Sequence, residues 1–565
     1  MPVPNTKIYL STTALSGGGF RFLPNAAGDL SNTLVGIPNP AWLSAITDLN
    51  GDGVADVIVG APGDDDKDVD AGRIFVHLGP IAPGSTSTLS DAATDIKFDG
   101  IAAGDRAGAA VGFSADMNGD GLAEILIGIP GKDIGTDLDA GIAIVAWGVS
   151  APGGIDLEEP FVENGNGFAI LGEAAGDAAG TTIVSIADLN GDGLDDVVVG
   201  APGNDAAGAD AGAAYVVWGR SAETNVLLTD VAAGTGGYRI VGEDGGDAVG
   251  GVIATIGDLN GDGLSEILIG TPDSNAGGSN AGAVYVSFGK ATGTEVDLAD
   301  VAAGIGGFRI IGVAQDDAGA AVSSVGDVNG DGLSDILIGA PRSDSAYVVF
   351  GKGTGTQIDL ADVRNGIGGY HIIAEAAGDL DIISVAGGAD LNRDGIADLV
   401  IGAADNNEGG SNAGAVYVIW GGGSGTVDLS LISQSIGGAK IVGSAGSMTG
   451  SSVAITPDMN GDGVADLLIG APGTGESVFG LYSPTSWQPD NNVYGTNGAD
   501  IIGPGYGGIH VVGNTADNII ALAGNDTIDA AGGNDIIDGG TGADAMTGGS
   551  GDDTYYVDNA GDTVI

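Results

Sequence analysis

Short apolar runs alternate with glycine-rich polar turns along most of this chain, and the alternation repeats with a long period. One period contains the runs GGFRIIG (306–312), AVSSVGD (321–327), DILIGAP (335–341) and AYVVFG (346–351). Runs of this length, rich in Val, Ile and aromatic residues and bounded by Gly, Pro and Asp, are typical of β-strands. Four such runs in each of seven periods predict an all-β fold, a seven-bladed β-propeller of four-stranded blades.

A nine-residue acidic loop, D-x-N-x-D-G-x-x-D/E, lies between the second and third runs of every period. Successive loops start 63 to 72 residues apart, and such a regular spacing indicates a repeat architecture. Oxygen-bearing side chains occupy positions 1, 3, 5 and 9, and glycine at position 6 allows a sharp turn. Alternate oxygens on a tight loop converge on one point, which suits a hard cation with six to eight oxygen ligands, above all Ca²⁺.

Each loop therefore predicts five calcium ligands, namely four side chains and the backbone carbonyl at position 7. About seven calcium ions are expected in the propeller, because seven copies keep the same oxygen positions. Solvated acidic turns are the alternative interpretation. The predicted ligands are Asp48, Asn50, Asp52, Val54, Asp56, Asp116, Asn118, Asp120, Leu122, Glu124, Asp188, Asn190, Asp192, Leu194, Asp196, Asp258, Asn260, Asp262, Leu264, Glu266, Asp327, Asn329, Asp331, Leu333, Asp335, Asp390, Asn392, Asp394, Ile396, Asp398, Asp458, Asn460, Asp462, Val464 and Asp466.

This combination of runs and loops resembles the FG-GAP repeat, which occurs in the propeller of integrin α subunits and in many bacterial surface proteins. Phe308 and the G-A-P at 339–341 stand in the positions that give the repeat its name. The resemblance covers residues 7–483 and implies that each acidic loop joins two adjacent strands of one blade and binds calcium on the lower face. The chain departs from the pattern at Arg393, which replaces a glycine of the sixth loop and is expected to weaken that site.

The composition changes after the predicted propeller domain, residues 1–483. Residues 484–494 predict a linker, and residues 495–565 consist of short Gly-Asn-Asp repeats. Their period of nine resembles the calcium-binding nonapeptide GGxGxDxUx of RTX proteins, which implies a short parallel β-roll that binds further calcium ions. Apolar residues at every ninth position favour this roll over a flexible linker; they are Ile528, Ile537, Met546 and Tyr555.

The predicted calcium ligands of the roll are the aspartates at the same register of each repeat. Successive turns of a β-roll fall on opposite edges, so a site is expected to join turns eighteen residues apart. This pairs Asp526 with Asp544, and Asp535 with Asp553. The turns around residues 495–520 are degenerate, and their place inside or outside the roll stays open.

The net charge of −60, from 16 basic and 76 acidic residues, excludes nucleic acid as a partner. It also argues against simple adsorption to anionic lipid. Within each acidic loop, a pair of like charges 4 Å apart costs roughly 4 kcal/mol at an effective dielectric constant of ~20. The metal-free protein is therefore expected to be expanded or partly unfolded. A hydrophobic content of 43% excludes a disordered polyanion.

The expected location is outside the cell or on its surface. No apolar run reaches about 18 residues, so no transmembrane segment is predicted, and the first fifteen residues lack the features of a signal peptide. The RTX resemblance implies export by a one-step, type I route. The chain stops at 563–565, in residues that resemble the start of another strand, and whether it belongs to a longer polypeptide stays open.

Three functions are compatible with these features. We favour a calcium-binding protein of adhesion or extracellular interaction, with a protein or glycan ligand, and the alternative is a self-assembling subunit of a surface layer or filament. An enzyme is disfavoured because the three histidines, His77, His371 and His510, share no motif. The chain also lacks a G-x-S-x-G elbow, an H-E-x-x-H motif and cysteine. A hydrolase or lyase that uses a pair of carboxylates stays open.

Overall fold

Seven sheets form a closed ring in the computed structural model of the protein, because innermost strands of successive sheets contact one another and the seventh contacts the first. The predicted seven-bladed β-propeller is thereby confirmed. The described residues are 8–10, 18–23, 43–45, 49, 54–79, 81–88, 95–148, 154–156, 166–222, 224–353, 357–381, 383–422, 425–434, 436–473, 477–484, 487, 492–494, 501–502, 512, 517–521 and 523–565.

The first three strands of each blade are consecutive in sequence and antiparallel. The innermost strands of blades 1 to 7 are Leu43–Ala45, Ala110–Ser114, Thr182–Ile186, Val252–Ile256, Ala321–Ser324, Ile383–Ala389 and Ser452–Thr456. The second strands are Val57–Ala61, Glu124–Ile129, Asp196–Ala201, Glu266–Thr271, Ile336–Ala340, Asp398–Ala403 and Asp466–Ala471. The third strands are Arg73–His77, Ile142–Ala146, Ala213–Val217, Ala283–Ser287, Ser345–Val349, Ala415–Ile419 and Ser477–Leu481.

The fourth strand of each blade comes from the run that the sequence analysis placed first in the next period. Gly307–Ile311, for example, pairs with Ala283–Ser287 of blade 4 rather than opening blade 5. This one-strand offset closes the ring, because the N-terminal strand Gly19–Leu23 completes blade 7 beside Ser477–Leu481. The fourth strands of blades 1 to 7 are Asp95–Asp99, Gly167–Leu171, Gly237–Val241, Gly307–Ile311, Gly369–Ile373, Gly438–Val442 and Gly19–Leu23.

A fifth, short strand lies parallel to the fourth in every blade, and the sequence analysis missed it. These strands are only two or three residues long, too short to show a hydrophobic period. In blades 1 to 7 they are Gly154–Asp156, Val226–Leu227, Val296–Asp297, Ile358–Asp359, Val427–Asp428, Ile8–Tyr9 and Thr86–Thr88. Four of them lead directly into short helices, which are Leu228–Ala232, Leu298–Ala302, Leu360–Arg364 and Leu429–Ile432. A 3₁₀ turn, Pro341–Ser343, connects the second and third strands of blade 5.

The second strand of each blade is buried along its whole length, which explains why its sequence is continuously apolar. Neighbouring blades cover both of its faces. The glycine of the G-A-P segment allows one blade to approach the next: a Cβ atom on Gly270 would lie 2.1 Å from the carbonyl oxygen of Gly319. Only glycine fits such a close backbone approach.

The C-terminal region forms two four-stranded parallel sheets, as expected for a β-roll. One sheet contains Asn492–Tyr494, Asn518–Ile520, Ile536–Asp538 and Thr554–Tyr556. The other contains Ile501–Ile502, Thr527–Asp529, Ala545–Thr547 and Thr563–Val564. Neighbouring strands within a sheet are eighteen residues apart, and the apolar side chains at every ninth position fill the space between the sheets.

The roll begins earlier than its regular repeats suggest. Ile501–Ile502 and Asn518–Ile520 pair with later strands, so the described part of the degenerate turns belongs to the roll. The predicted linker is structured at two points: Trp487 is buried in the cluster that holds the third strand of blade 7, and Asn492–Tyr494 is a strand of the roll. The domain boundary within residues 484–494 stays a prediction.

Candidate metal centre

Each acidic loop connects the innermost and second strands of its own blade, as the FG-GAP resemblance implies. The third loop, for example, follows Thr182–Ile186 and ends on Asp196, the first residue of the second strand. Position 9 is buried in every blade, whereas position 5 points toward solvent in most described loops. In the first loop Val54 and Asp56 are described, but Asp48, Asn50 and Asp52 lie outside the described residues.

Hydrogen bonds to the loop backbone hold the side chains at positions 1 and 3. In the third loop, the Asp188 carboxylate accepts from the backbone N–H groups of Gly191 at 2.6 Å and Gly193 at 2.7 Å. The Asn190 amide oxygen accepts from the N–H of Asp192 at 2.8 Å. Both glycines have positive φ angles, +80° and +90°, which turn the backbone around the side-chain oxygens. The loops at 116, 258, 327 and 458 repeat these contacts.

Two loops end in glutamate, and these bring three carboxylates together. In each, one oxygen from every acidic ligand lies within 4.8 Å of the others; among the described residues no further loop meets this criterion. Glu124 Oε2 accepts from the N–H of Met117 at 2.7 Å, while its buried Oε1 has no hydrogen-bond partner among the described residues. Glu266 has the same arrangement beside Leu259.

A buried carboxylate oxygen without a donor is unfavourable unless a cation compensates it. The neighbouring groups are carboxylate and amide oxygens, which are the ligands that Ca²⁺ prefers. The residues of the two glutamate loops therefore fit a calcium ion.

The loops that end in aspartate are arranged differently at position 9. Both oxygens of Asp196 accept backbone hydrogen bonds, from Leu189 at 2.9 Å and from Gly219 at 2.8 Å. This shorter side chain ties the start of the loop to the end of the third strand. The same bridge is made by Asp56, Asp335, Asp398 and Asp466. The sequence analysis treated Asp and Glu as equivalent, and the ligand role of position-9 aspartate stays a prediction.

The carbonyls at position 7 also stay predicted ligands. The backbone N–H of that residue donates to the aspartate at position 5, as Leu194 does to Asp192 Oδ1 at 3.0 Å. Leu122, Leu264, Leu333, Ile396 and Val464 make the same contact. This bond fixes the peptide on both sides of position 6.

Burial raises the pKa of the position-9 carboxyls in the second to seventh loops, and the negative charges at positions 1 and 5 add to the effect. The pKa of Glu124 rises to about 8 and that of Glu266 to about 7. Among the aspartates, the pKa of Asp196 rises to about 7 and that of Asp335 to about 6. Without a cation, these loops are therefore poorly suited to hold all their carboxyls ionised.

The aspartates of the β-roll pair as the nonapeptide register predicted. The backbone N–H of Asp526 donates to Asp544 Oδ1 at 2.8 Å, and that of Asp535 donates to Asp553 Oδ1 at 3.0 Å. The Oδ2 atoms of Asp535 and Asp544 are buried and have no hydrogen-bond partner among the described residues. Both pairs thus present carboxylate oxygen to the interior of a turn, as a calcium site requires.

Two further aspartates continue these series of hydrogen-bonded aspartate pairs. The N–H of Asp517 donates to Asp535 Oδ1 at 2.8 Å, and that of Asp544 donates to Asp562 Oδ1 at 3.1 Å. The sequence analysis left Asp517 open and missed Asp562, although both lie eighteen residues from an aspartate of the predicted set. That spacing was the signal that could have found them.

Partly buried ion pairs join successive blades on the face opposite the acidic loops, and the sequence analysis did not predict them. Glu173, after the fourth strand of blade 2, accepts from the Tyr215 hydroxyl at 2.6 Å and pairs with Arg239 at 3.1 Å in blade 3. The same positions are occupied by Tyr285–Glu243–Arg309 and Tyr417–Glu375–Lys440, whereas between blades 4 and 5 Tyr347 contacts Asp316, which pairs with Arg364 of the helix Leu360–Arg364. These contacts stabilise blade junctions.

The acidic segment 63–72 is partly neutralised within blade 1. Arg73 lies 3.3 Å from Asp64, pairs closely with Asp66 and lies 2.5 Å from Asp99. The segment thus serves at least to hold a buried arginine, and no cation site is assigned to it.

Two of the three histidines are described, and their contacts do not prepare a nucleophile. His371 Nε2 lies 2.9 Å from Ser345 Oγ beside a cavity of about 410 Å³. Ser345 itself donates to the carbonyl oxygen of Ser343 at 2.9 Å, so the imidazole donates to the serine rather than accepting its proton. Burial lowers the pKa of His371 to about 4. His77 packs against Phe22 with the two rings tilted by 58°, and His510 lies outside the described residues.

Comparison with known proteins identifies both repeat types. The FG-GAP repeat matches residues 40–77, 180–217, 249–287, 318–357, 383–419 and 449–483. The RTX calcium-binding nonapeptide repeat matches residues 512–546 and 532–564. The FG-GAP matches leave out the second acidic loop, although the structure places it in an equivalent blade. Among the described residues, no helix has the length and apolar character needed to cross a membrane.

Integrin α chains are similar to this chain over part of its length. Integrin alpha pat-2 of Caenorhabditis elegans is 28% identical over 260 residues, which are 42% of this chain and 18% of that protein. Integrin alpha-6 of Homo sapiens is 30% identical over 153 residues, 26% of this chain and 12% of that protein. The chain thus spans less than a fifth of the length of these relatives. A solved structure of BBS1N in complex with ARL6DN aligns with 79% of this chain and 92% of its own, at a TM-score of 0.38 and 10% identity.

Proposed function

We propose that this chain, a seven-bladed propeller of FG-GAP repeats joined to an RTX-type β-roll, is a secreted calcium-binding protein of adhesion or another extracellular interaction. One observation carries the proposal: equivalent oxygen-rich loops recur at the same place in successive blades. In the loops that end in Glu124 and Glu266, three carboxylates converge around a buried oxygen that has no hydrogen-bond partner in the described part of the chain. A repeated site of this kind serves the scaffold, because every blade uses it in the same way.

Calcium would supply the positive charge that three convergent carboxylates need in order to stay ionised. The protein residues do the rest. The side chains at positions 1, 3 and 5 shape the loop, and position 9 anchors it to the buried second strand. Since these loops offer many protein oxygens, little coordination is left open for a substrate, unlike in a catalytic metal site. Calcium would therefore control the fold, and through the fold the interaction.

The partner we propose is an extracellular protein or glycan, bound by the face opposite the acidic loops. On that face, long connections join the second and third strands in five blades; they are residues 62–72, 130–141, 202–212, 272–282 and 404–414. Blade 5 has only the short turn Pro341–Asp344 there. Long loops on a rigid scaffold are a common place for binding residues. Export by a type I route is part of the proposal.

Metal analysis and a binding assay together test this function. Purified full-length protein, equilibrated with calcium and freed of excess, should hold about seven ions in the propeller and further ions in the roll. Attachment of the protein to a panel of extracellular matrix proteins and glycans should disappear in chelator and return with calcium. Fewer than three ions per chain would overturn the calcium part of the proposal.

Electron microscopy of the calcium-loaded protein separates the proposal from its competitor. Monodisperse discs support an interaction module, whereas ordered sheets or filaments would replace it by a surface-layer or filament subunit. Hydrolysis of a polysaccharide that is lost in a single carboxylate variant with an intact fold would instead establish an enzyme.

A further inference from the structure

The sixth acidic loop contains an arginine in a conformation that its neighbours reserve for glycine. Arg393 occupies position 4 with a φ angle of +67°, where Gly191, Gly261 and Gly330 each have +80°. Non-glycine residues adopt this left-handed conformation only at an energetic cost, so a compensating role is expected.

The Arg393 side chain reaches out of its own loop to the loop of the next blade. Its Nη2 atom lies 3.6 Å from Oδ1 of Asp462, position 5 of the seventh loop, and both side chains are about one third exposed. The same oxygen accepts from the backbone N–H of Val464 at 3.0 Å. The arginine therefore acts on a predicted calcium ligand of loop 7, whereas the sequence analysis expected it to weaken loop 6.

We propose that Arg393 places a permanent positive charge beside the seventh loop. This charge stabilises the loop in the absence of calcium and lowers the affinity of the loop for calcium. The proposal rests on the calcium binding proposed above. A guanidinium beside Asp462 offsets part of the repulsion among the loop carboxylates, as a metal ion does. It also repels an incoming divalent cation, and its ion pair must be weakened when Asp462 binds calcium. Loop 7 then fills at a higher calcium concentration than the other aspartate-ended loops.

The contact between Arg393 and Asp462 lies beside the blade that closes the ring. Blade 7 closes the ring, because its fourth strand, Gly19–Leu23, comes from the N-terminal end of the chain. An ion pair from blade 6 to loop 7 joins this closing blade to its neighbour before calcium is bound.

Hydrogen exchange measured by mass spectrometry on the full chain can follow each loop separately as calcium is added. The test variant is Arg393→Asn, because asparagine tolerates the left-handed conformation and carries no charge. The expected result is a midpoint of calcium-dependent protection in residues 458–466 that is roughly three- to tenfold lower in the variant than in the wild-type protein. Without calcium, the same segment should exchange faster in the variant.

Two controls make the test specific. The loop Asp327–Asp335, which also ends in aspartate, should keep its midpoint in the variant and should fill before loop 7 in the wild-type protein. Arg342→Asn removes the same charge from a surface ion pair with Asp317 on the opposite face and should leave loop 7 unchanged.

A loop 7 midpoint that changes less than twofold in Arg393→Asn would overturn the proposal, as would a wild-type loop 7 that fills together with Asp327–Asp335. A failure of the proposed function looks different: no loop would gain protection with calcium at all.

Discussion

Substitution of Glu266 by Gln should change stability in opposite directions with and without calcium. The backbone N–H of Leu259 donates to Glu266 Oε2 at 2.9 Å in the wild-type protein. Glutamine keeps the length of the side chain, and its amide oxygen can still accept this hydrogen bond. The change removes a buried negative charge whose second oxygen has no hydrogen-bond partner among the described residues. It also removes an anionic oxygen that we propose as a calcium ligand.

The magnitude without calcium follows from the pKa of Glu266, which burial and the charges of Asp258 and Asp262 raise from 4.5 to about 7. A shift of this size corresponds to roughly 3 kcal/mol for the ionised carboxyl in the folded protein. At pH 8 in chelator, Glu266→Gln is therefore expected to raise the free energy of unfolding by about 1–3 kcal/mol, since part of the cost relaxes in the real protein.

With saturating calcium the sign reverses. With free calcium at roughly a thousand times the dissociation constant, binding stabilises the folded state by about 4.1 kcal/mol, and loss of a charged ligand removes most of that, which exceeds the gain of about 1–3 kcal/mol expected in chelator. Urea denaturation at pH 8, monitored by hydrogen exchange in blade 4, measures the free energy of unfolding in chelator and in calcium. A change of the same sign in chelator and in calcium would refute the reasoning.

Asp335→Asn is the matched control. Both oxygens of Asp335 accept backbone hydrogen bonds, from Val328 at 3.0 Å and from Gly351 at 2.8 Å. An amide NH₂ group cannot accept one of them, and the loss of that hydrogen bond costs about 1–3 kcal/mol, which offsets the gain from removing a carboxyl charge whose pKa burial raises to about 6; no gain of stability is therefore expected in chelator. Glutamate and aspartate at position 9 are thereby distinguished in chelator, where Glu266→Gln should gain stability and Asp335→Asn should not.

Three further predictions concern pH, chelation and blade contacts. Burial raises the pKa of Glu124, Glu266 and Asp196 above their values in the unfolded chain, so these groups stabilise the metal-free fold most below about pH 4 to 4.5. Thermal unfolding in chelator should show this stabilisation falling as the pH rises toward 8, and calcium should suppress the fall. Chelator titration should release hydrogen-exchange protection first in the β-roll and later in the propeller, because the roll has a small core; simultaneous loss would contradict this. Gly270→Ala should cost more than 2 kcal/mol, since its Cβ would meet the Gly319 carbonyl at 2.1 Å, whereas Gly257→Ala, with its nearest neighbour at 4.0 Å, should be nearly neutral by thermal denaturation.

The sequence by itself determined the four longer strands of each blade, the loops and the repeat number, because each of these follows from local residue spacing. A continuous apolar run such as 266–271 has one solution in a propeller, a strand buried on both faces. The D-x-N-x-D-G spacing likewise fixes a turned loop through contacts within nine residues. The eighteen-residue pairing in the roll also follows from its period, and Asp562 was missed only because the register was not carried to its last repeat.

The tertiary structure alone decided what depends on contacts between distant segments. Gly19–Leu23 belongs to blade 7, and the short fifth strands pair with strands that are distant in sequence, as Ile8–Tyr9 does with Gly438–Val442, which no local pattern records. The difference between Glu266 and Asp335 appears only when Gly351, at the end of the third strand, supplies a donor to the shorter side chain. From the sequence, Arg393 is a substitution expected to weaken its own loop. The ring brings Asp462, 69 residues later in the chain, within reach of the long arginine side chain, and the proposed role in loop 7 depends on this contact between blades.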